Sequence, residues 1–217
     1  MRGTFSEKEC QMETTTEKEN DAIRETMELV ESFKNGNAEA FDRLVLLHSP
    51  RLYRTAFGLL NSKQDAEEVV QDAFVRAYRA LHSFRGDSSF ETWMQRIVIN
   101  LSRNKFHWNR RRGEGLNTSI SVDPEENGVP EISLPDERMR PDRKLESSEM
   151  ERNVMQGLQS LPESLKETMI LRHIDDLPYE KIAEQLNCKV GTVKSRLSRG
   201  REMLKSYLTD LGHRINA

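Results

Sequence analysis

The stretch YEKIAEQLNCKVGTVKSRLSRGR, residues Tyr179–Arg201, predicts two short helices joined by a tight turn. The first helix has one apolar face, formed by Ile182, Ala183 and Leu186. Asn187 follows that face, and Asn tolerates the left-handed backbone conformation that such a turn requires. The second helix has an apolar stripe from Val193, and its other side carries Thr192, Lys194, Ser195, Arg196 and Arg199. Such a helix fits the major groove of DNA; the alternative is a helical hairpin with a solvated basic face.

The composition argues against one large hydrophobic core. The chain has 217 residues, of which 35% are hydrophobic and 32% are charged. These values are typical of small helical domains joined by polar segments. The net charge is only −3, so any charge that binds DNA has to be local, as it is in the cation-rich stretch Lys189–Lys205. Because its two cysteines are far apart and no apolar run could span a bilayer, the chain is predicted to be cytoplasmic.

An N-terminal helical domain is predicted over residues 21–112, after a disordered polar tail over residues 1–20. Helices are expected over residues 21–34, from Phe41 to a break at Ser49–Pro50, and over residues 51–60 and 65–81. The helix over residues 65–81 has the clearest apolar period in the chain. Its other side carries Asp65, Glu68, Gln71, Asp72 and Arg76. This face is either merely solvated or an acidic docking surface for a basic partner.

A further helix is predicted over Glu91–Phe106, after a loop with Gly and small polar residues between two Phe. Its inner face is expected to consist of Trp93, Ile97 and Leu101. Another face carries the polar stripe Arg96, Asn100, Arg103 and His107. Residues 100–112 are rich in cations, contain no acid and include the aromatic residues Phe106 and Trp108. This composition favours nucleic-acid binding; the alternative is a helix end whose cations complement its dipole.

Residues 113–144 have no apolar period, contain four prolines and carry an excess of acids, which predicts a flexible acidic linker. A second helical domain is predicted over residues 145–217 and ends in the two-helix motif. The predicted fold is therefore all-α, with two small helical domains joined by a flexible linker. No glycine-rich phosphate loop, zinc-protease motif or Cys/His cluster occurs, so no enzyme activity, metal or cofactor is predicted.

Three stretches resemble the extracytoplasmic-function sigma factors of bacterial RNA polymerase, most closely the envelope-stress, sigma-E-like branch. They are DAEEVVQDAFVRAYRAL (Asp65–Leu81), SFRGDSSFETWMQRIVIN (Ser83–Asn100) and YEKIAEQLNCKVGTVKSRLSRGRE (Tyr179–Glu202). The resemblance implies sigma region 2 over residues 21–112 and sigma region 4 over residues 145–217. It implies an alternative transcription initiation factor for stress responses. Such a factor binds core RNA polymerase, reads the −35 and −10 promoter elements and helps to melt the DNA.

The resemblance also implies roles for individual residues. Contacts to the coiled coil of the polymerase β′ subunit fall on Asp65, Glu68, Gln71 and Asp72. Recognition of the −10 element, including capture of a flipped base, falls on Phe84, Arg96, Asn100 and Arg103. Recognition of the −35 element falls on Thr192, Lys194, Ser195, Arg196, Ser198 and Arg199. Region 4 is further expected to contact the β flap. An anti-sigma factor, of a kind that can be membrane-bound, is an expected partner, whereas a small-molecule substrate is not.

Two positions depart from the family pattern. Asn187 stands where many members have Gly, and Ser198 stands where near relatives often carry a larger or aromatic side chain. The amino-acid sequence therefore does not determine which −35 promoter sequence the chain recognises. Two other classes remain as alternatives: a DNA-binding regulator with an N-terminal sensory domain, and a helical adaptor that does not bind DNA. A response regulator would need alternating strands and helices, and residues 21–112 predict no convincing strand.

Overall fold

A computed structural model describes residues 7–113 and 141–213 of the chain, with side chains described for residues 21–113 and 149–213. These residues form α-helices, one 3₁₀ turn and no strand, which confirms the predicted all-α fold class. The helices are α1 (Glu7–Lys34), α2 (Glu39–Leu60), α3 (Lys63–Ala80), α4 (Phe90–Arg111), α5 (Pro141–Ser160), α6 (Glu163–His173), α7 (Tyr179–Gln185) and α8 (Val190–Asp210). The 3₁₀ turn, Leu81–Ser83, follows α3.

The chain divides into two compact units. The first comprises Met1–Phe57 and Ser62–Leu101, and the second comprises Gly58–Asn61 and Ser102–Ala217. Helix α4 therefore contributes its first half to the first unit and its second half to the second unit.

The core of the first unit is built from apolar stripes on α1, α2, α3 and α4. Val30, Leu44, Ala73 and Val98 are fully enclosed, one from each of these helices. On α3 the buried stripe alternates bulky residues with alanines, which leave room for neighbouring helices to approach. Ser62 caps α3, because its hydroxyl oxygen accepts a hydrogen bond from the Asp65 N–H group at 3.3 Å. The predicted apolar face of this helix is thus the buried one, except at Tyr78, which has the same period but is 49% exposed.

The predicted helix break at Ser49–Pro50 is wrong. Helix α2 is continuous from Glu39 to Leu60, with Pro50 inside it. Proline cannot donate a backbone hydrogen bond, so its presence disfavours the helix locally. However, the buried stripe continues across it, with Leu44 before Pro50 and Leu52 and Ala56 after it. Burial of this common face offsets the local penalty, which is why one helix forms where two were expected.

The inner face predicted for α4 is also corrected. Trp93 and Ile97 are only half-buried, whereas Met94 and Val98 are fully enclosed. Leu101 is buried as expected. The helix carries apolar side chains on two adjacent stripes, so periodicity did not identify which of them would face the core.

Two predicted boundaries lie elsewhere in the structure. Helix α1 begins at Glu7, within the predicted tail, because residues 7–20 are rich in helix-forming Glu, Lys, Met and Gln although they lack an apolar stripe. Helix α5 begins at Pro141, inside the predicted linker, and proline suits the first position of a helix. The remainder of the linker prediction, residues 114–140, lies outside the described residues.

The second unit packs α5, α6 and α7 against α8, and its core includes Ile170, Leu171, Ile182 and Leu197. Between α7 and α8 the chain turns through Asn187, whose φ of 48° is the left-handed conformation that the sequence predicts. Gly200 lies where α8 crosses α6, and a Cβ atom there would be 2.8 Å from Cγ of Met169. Close approach of the two helices therefore depends on a residue without a side chain.

His48 on α2 is expected to make the stability of the first unit dependent on pH. Its Nε2 lies 3.3 Å from the Thr26 hydroxyl oxygen, and its ring lies 5.1 Å from the ring of Phe90. Burial, and secondly the charge of Arg51, lower the pKa of His48 from 6.5 to about 4. Because the unfolded chain then binds a proton more readily than the folded one, the free energy of unfolding should decrease as pH falls from 6.5 towards 4. The expected slope is at most about 1.4 kcal/mol per pH unit.

Urea unfolding of the wild type and of His48→Gln between pH 7 and pH 4.5 tests this expectation. The variant cannot protonate at this position, so its stability should fall less than that of the wild type over the same interval. Parallel stability curves for the two proteins would contradict the assignment to His48.

Candidate nucleic-acid interface

Helix α8 separates a buried side from a polar side. Val193 and Leu197 are enclosed in the second unit. Of the six side chains predicted to read the −35 element, Lys194, Ser195, Ser198 and Arg199 are exposed, and Thr192 and Arg196 are half-exposed. None of them belongs to the buried stripe. The arrangement gives one helix face with hydroxyl donors and cations, which is the chemistry that recognises base edges and phosphates.

The turn before α8 determines how this face is presented. The Cys188 N–H group donates to the Ala183 carbonyl oxygen at 2.9 Å, which closes the end of α7. Lys189 is extended, with ψ of 149°, and its carbonyl oxygen accepts from the N–H groups of Thr192 and Val193 at 2.8 and 3.2 Å. The first turn of α8 contains no acid. No carboxylate within this turn neutralises its partial positive charge, which favours an approaching phosphate.

The predicted −10 residues of the first unit occupy two different environments. Arg96 and Asn100 are one turn apart on α4, so they share a side of the helix, and Asn100 is exposed. Phe84, in contrast, is buried, with its ring centroid 5.1 Å from that of Trp93 and 6.2 Å from that of Phe90. In this conformation Phe84 anchors the loop that precedes α4. Ser89 holds the other end of that loop, because its hydroxyl oxygen accepts from the Thr92 N–H group at 3.1 Å.

Arg103, the fourth predicted −10 residue, is paired with carboxylates of α6 within the second unit. Its Nε and Nη2 donate to Oε1 of Glu167 at 3.0 and 2.7 Å, and Nε also lies 3.0 Å from Oε1 of Glu163. Glu167 is buried, and burial raises the pKa of its carboxyl group, opposed by Arg103 and Arg196. Arg103 would have to leave this pair in order to contact DNA. No local sequence pattern links residues so far apart in the chain.

Lys166 is a buried cation beside this pair, and sequence reasoning missed it. Its Nζ donates to Oε1 of Gln159 at 3.1 Å and lies 4.1 Å from the centroid of the Phe106 ring. Burial lowers the pKa of Lys166, against the opposing charges of Glu163 and Glu167. The side chain is therefore packed inside the second unit and is not displayed for a ligand.

The acidic side of α3 contains exposed apolar surface as well. Glu68, Gln71 and Asp72 are exposed and Asp65 is half-buried. Val75 shares this side of the helix and is 49% exposed. Single exposed apolar side chains are common on protein surfaces, so the carboxylates remain the distinguishing feature of this side of α3. The sequence analysis did not name Val75, although its position off the apolar stripe of α3 is a signal that could have found it.

In the described part of the chain, no helix is long and apolar enough to cross a membrane. Nor do the described residues include a group of three or more His, Cys, Asp or Glu that could hold a metal ion.

Two segments of the chain match models of known protein families. Residues 44–112 match sigma-70 region 2, and residues 151–204 match sigma-70 region 4. The first segment includes α3 and α4, and the second includes α6, α7 and most of α8.

Known proteins are similar over most of the chain. The RNA polymerase sigma-H factor of Pseudomonas aeruginosa is 38% identical over 184 residues, which cover 85% of this chain and 94% of that protein. The ECF RNA polymerase sigma-E factor of Haemophilus influenzae is 39% identical over 186 residues, covering 84% of this chain and 95% of that protein. Among solved structures, the sigma factor RpoE of Bartonella quintana, in complex with the anti-sigma factor NepR, is 28% identical with a TM-score of 0.53. That match covers 79% of this chain and 98% of the RpoE chain.

Proposed function

Since this chain belongs to the extracytoplasmic-function sigma factors, a branch of the sigma-70 family, we propose that it binds core RNA polymerase in the cytoplasm and directs it to stress-response promoters. The observation that carries this function is the presence of both sigma regions on one chain, region 2 over residues 44–112 and then region 4 over residues 151–204. A regulator with a helix-turn-helix and a sensory domain would contain only the second kind of segment. A helical adaptor would contain neither.

Run-off transcription with purified core polymerase tests the function. Core polymerase with this chain should produce transcripts of defined length from a subset of genomic promoters, and core polymerase without it should not. Sequencing the products identifies the promoters. If the chain binds DNA fragments but never yields promoter-specific transcripts, it is an ordinary DNA-binding regulator.

Recognition of the −35 element is assigned to α8. Four of its six candidate side chains are exposed, and its first turn lacks acids. Both features support insertion of the N-terminal half of α8 into the major groove. Ser198 is short, so direct contacts to base edges are assigned mainly to Lys194, Arg196 and Arg199, whose side chains are long enough to reach them.

Recognition and melting of the −10 element are assigned to α4 and the loop before it. Exposed Asn100 offers both a donor and an acceptor to the edge of an unpaired base, and Arg96 lies one turn away on the same side. Phe84 is buried and Arg103 is paired with Glu167 in the free chain. Their participation therefore requires a local rearrangement when DNA binds.

Binding of core polymerase is assigned to the acidic side of α3, which would contact the coiled coil of the β′ subunit. The exposed carboxylates of Glu68 and Asp72, together with the apolar surface of Val75, fit a basic helical partner. The second unit would contact the β flap. No small-molecule substrate is part of this function.

Glu68→Lys combined with Asp72→Lys should weaken the association with core polymerase at least tenfold, on the order of 1.4 kcal/mol, because like charges then face each other across the interface. Both residues are exposed, so the fold should survive, which circular dichroism can verify. A pull-down titration with core polymerase measures the effect. The matched control is Asp21→Lys with Glu28→Lys, which makes the same change of charge at exposed positions of α1. Equal affinity of the two double variants would contradict the assignment.

Regulation by an anti-sigma factor is the remaining part of the proposal. It is supported by the similarity to RpoE, which was crystallised with the anti-sigma factor NepR. Such a partner, in soluble or membrane-bound form, would prevent transcription by covering the acidic side of α3 or the polar side of α8. Co-purification from unstressed cells, followed by mass spectrometry, would identify it.

A further inference from the structure

The loop before α4, residues 84–89, contacts the end of α1. We call this segment the capture loop, because recognition of an unpaired −10 base is assigned to it. Nζ of Lys34 on α1 lies 5.9 Å from the centroid of the Phe84 ring, at the start of the loop. The ring of Phe33 lies 5.1 Å from that of His82, in the 3₁₀ turn that leads into the loop. Two neighbouring residues of α1 therefore hold the entrance of the capture loop.

A third contact reaches the middle of the capture loop. The chain turns there at Gly86, whose φ is 79°. Cε of Met27 lies 4.0 Å from the position that a Cβ atom would occupy at this glycine. Met27 precedes Lys34 by seven residues, which is two helical turns, so the two side chains leave α1 on the same side. One side of α1 thus supports the loop along its length.

Lys34 is more enclosed than a solvated lysine would be. Its side chain is only 23% exposed, whereas that of Glu31 is 60% exposed. Its Nζ donates to Oε1 of Glu31 at 3.0 Å, which restricts the position of the ammonium group near the Phe84 ring. A cation in the last turn of a helix also complements the helix dipole. That interaction does not require the side chain to be enclosed, so it does not explain the contact with the ring.

Phe84 is the −10 residue whose participation requires a rearrangement. It is buried, and its ring centroid lies 5.1 Å from that of Trp93. The ammonium group of Lys34 adds an attraction to the same ring, because the face of an aromatic ring attracts a cation. Any contact made only with Phe84 in its buried position lowers the fraction of chains in which Phe84 is available to DNA.

We infer that Lys34 is a positioning residue for recognition of the −10 element. It sets the equilibrium of the capture loop between a closed conformation, in which Phe84 is buried, and an open one, in which Phe84 reaches an unpaired base. Helix α1 ends before residues 44–112, which match sigma-70 region 2, so this control lies outside the matched segment. The inference rests on the proposed function, because it requires a holoenzyme that binds an unpaired −10 segment.

The first test measures binding of the holoenzyme to a single-stranded −10 fragment, made from a promoter that yields run-off transcripts. Lys34→Met retains an apolar stem over the Phe84 ring and removes the charge. It should strengthen binding roughly two- to fivefold, because the closed conformation loses the cation–ring attraction. Lys34→Arg retains a cation and should bind like the wild type. The matched control is Arg24→Met, an exposed cation of the same helix, which should also leave binding unchanged.

The second test follows the loop in the free chain by fluorescence. The chain has two tryptophans, so Trp108→Phe leaves Trp93, beside Phe84, as the single reporter. In this background Lys34→Met should increase quenching of Trp93 by acrylamide, and Lys34→Arg should not. When Phe84→Leu is also present, Lys34→Met should change neither quenching nor binding, because leucine offers no aromatic face to the cation. Circular dichroism verifies that each variant is folded.

Each result bears on one of the two proposals. Unchanged binding and quenching with Lys34→Met would overturn the role of Lys34 and leave the proposed function intact. Weaker binding with Lys34→Met would show that the cation contacts DNA itself, which would also overturn it. An effect of the same size in the presence of Phe84→Leu would show that Lys34 does not act through this ring. Failure of the wild-type holoenzyme to bind the fragment would instead overturn the proposed function, and this inference with it.

Discussion

Asn100→Ala should leave binding of core polymerase intact and reduce the formation of open promoter complexes by a factor of about 5 to 150. The side-chain amide offers one acceptor and two donor hydrogens to the edge of an extruded base. A good base-edge pair of this type contributes about 1–3 kcal/mol, and alanine provides no replacement for it. Because Asn100 is exposed on a helix, its removal creates no cavity, so the effect should be confined to DNA. Permanganate reactivity of unpaired thymines measures the open complexes.

Asn104→Ala is the matched control for this prediction. Asn104 is also exposed and lies one turn further along α4, so the substitution changes the same chemistry outside the assigned site. Open complexes should form normally with it. If Asn100→Ala instead abolished association with core polymerase, the assignment of Asn100 to DNA would be wrong.

Gly200→Val should destabilise the second unit by about 1–3 kcal/mol or more, because added carbon atoms have no space where α8 crosses α6. A Cβ atom at this position would lie 2.8 Å from Cγ and 3.1 Å from Sδ of Met169. Moving Met169 would in turn disturb the core beneath α8. The polar side of α8 would then lose its support, so binding to DNA with a −35 element should be lost together with stability.

Gly191→Val is the control in the same helix. A Cβ atom at Gly191 would meet nothing within 4 Å, and glycine is itself a poor helix former. This variant should therefore have a stability similar to that of the wild type. Urea unfolding followed by circular dichroism distinguishes the two variants. Similar midpoints for both would mean that α6 and α8 do not cross closely at Gly200.

The sequence by itself determined the fold class, the helix-turn-helix and the chemistry of its polar side. These properties follow from local rules. Apolar residues repeat with the period of a helix in α3 and α8, and Asn187 adopts the left-handed conformation that the turn requires. Each rule involves residues within a few positions of one another, so a reader of the sequence can apply it without knowing the packing.

Tertiary structure alone decided which of several locally acceptable arrangements forms. Burial of a shared apolar face keeps α2 helical through Pro50. On α4 it places Met94 and Val98 in the core in preference to Trp93 and Ile97. It also encloses Phe84. The pairing of Arg103 with Glu167 joins residues that are distant in sequence. These outcomes depend on summed contacts among several helices, each contact worth little, and no local pattern encodes that sum.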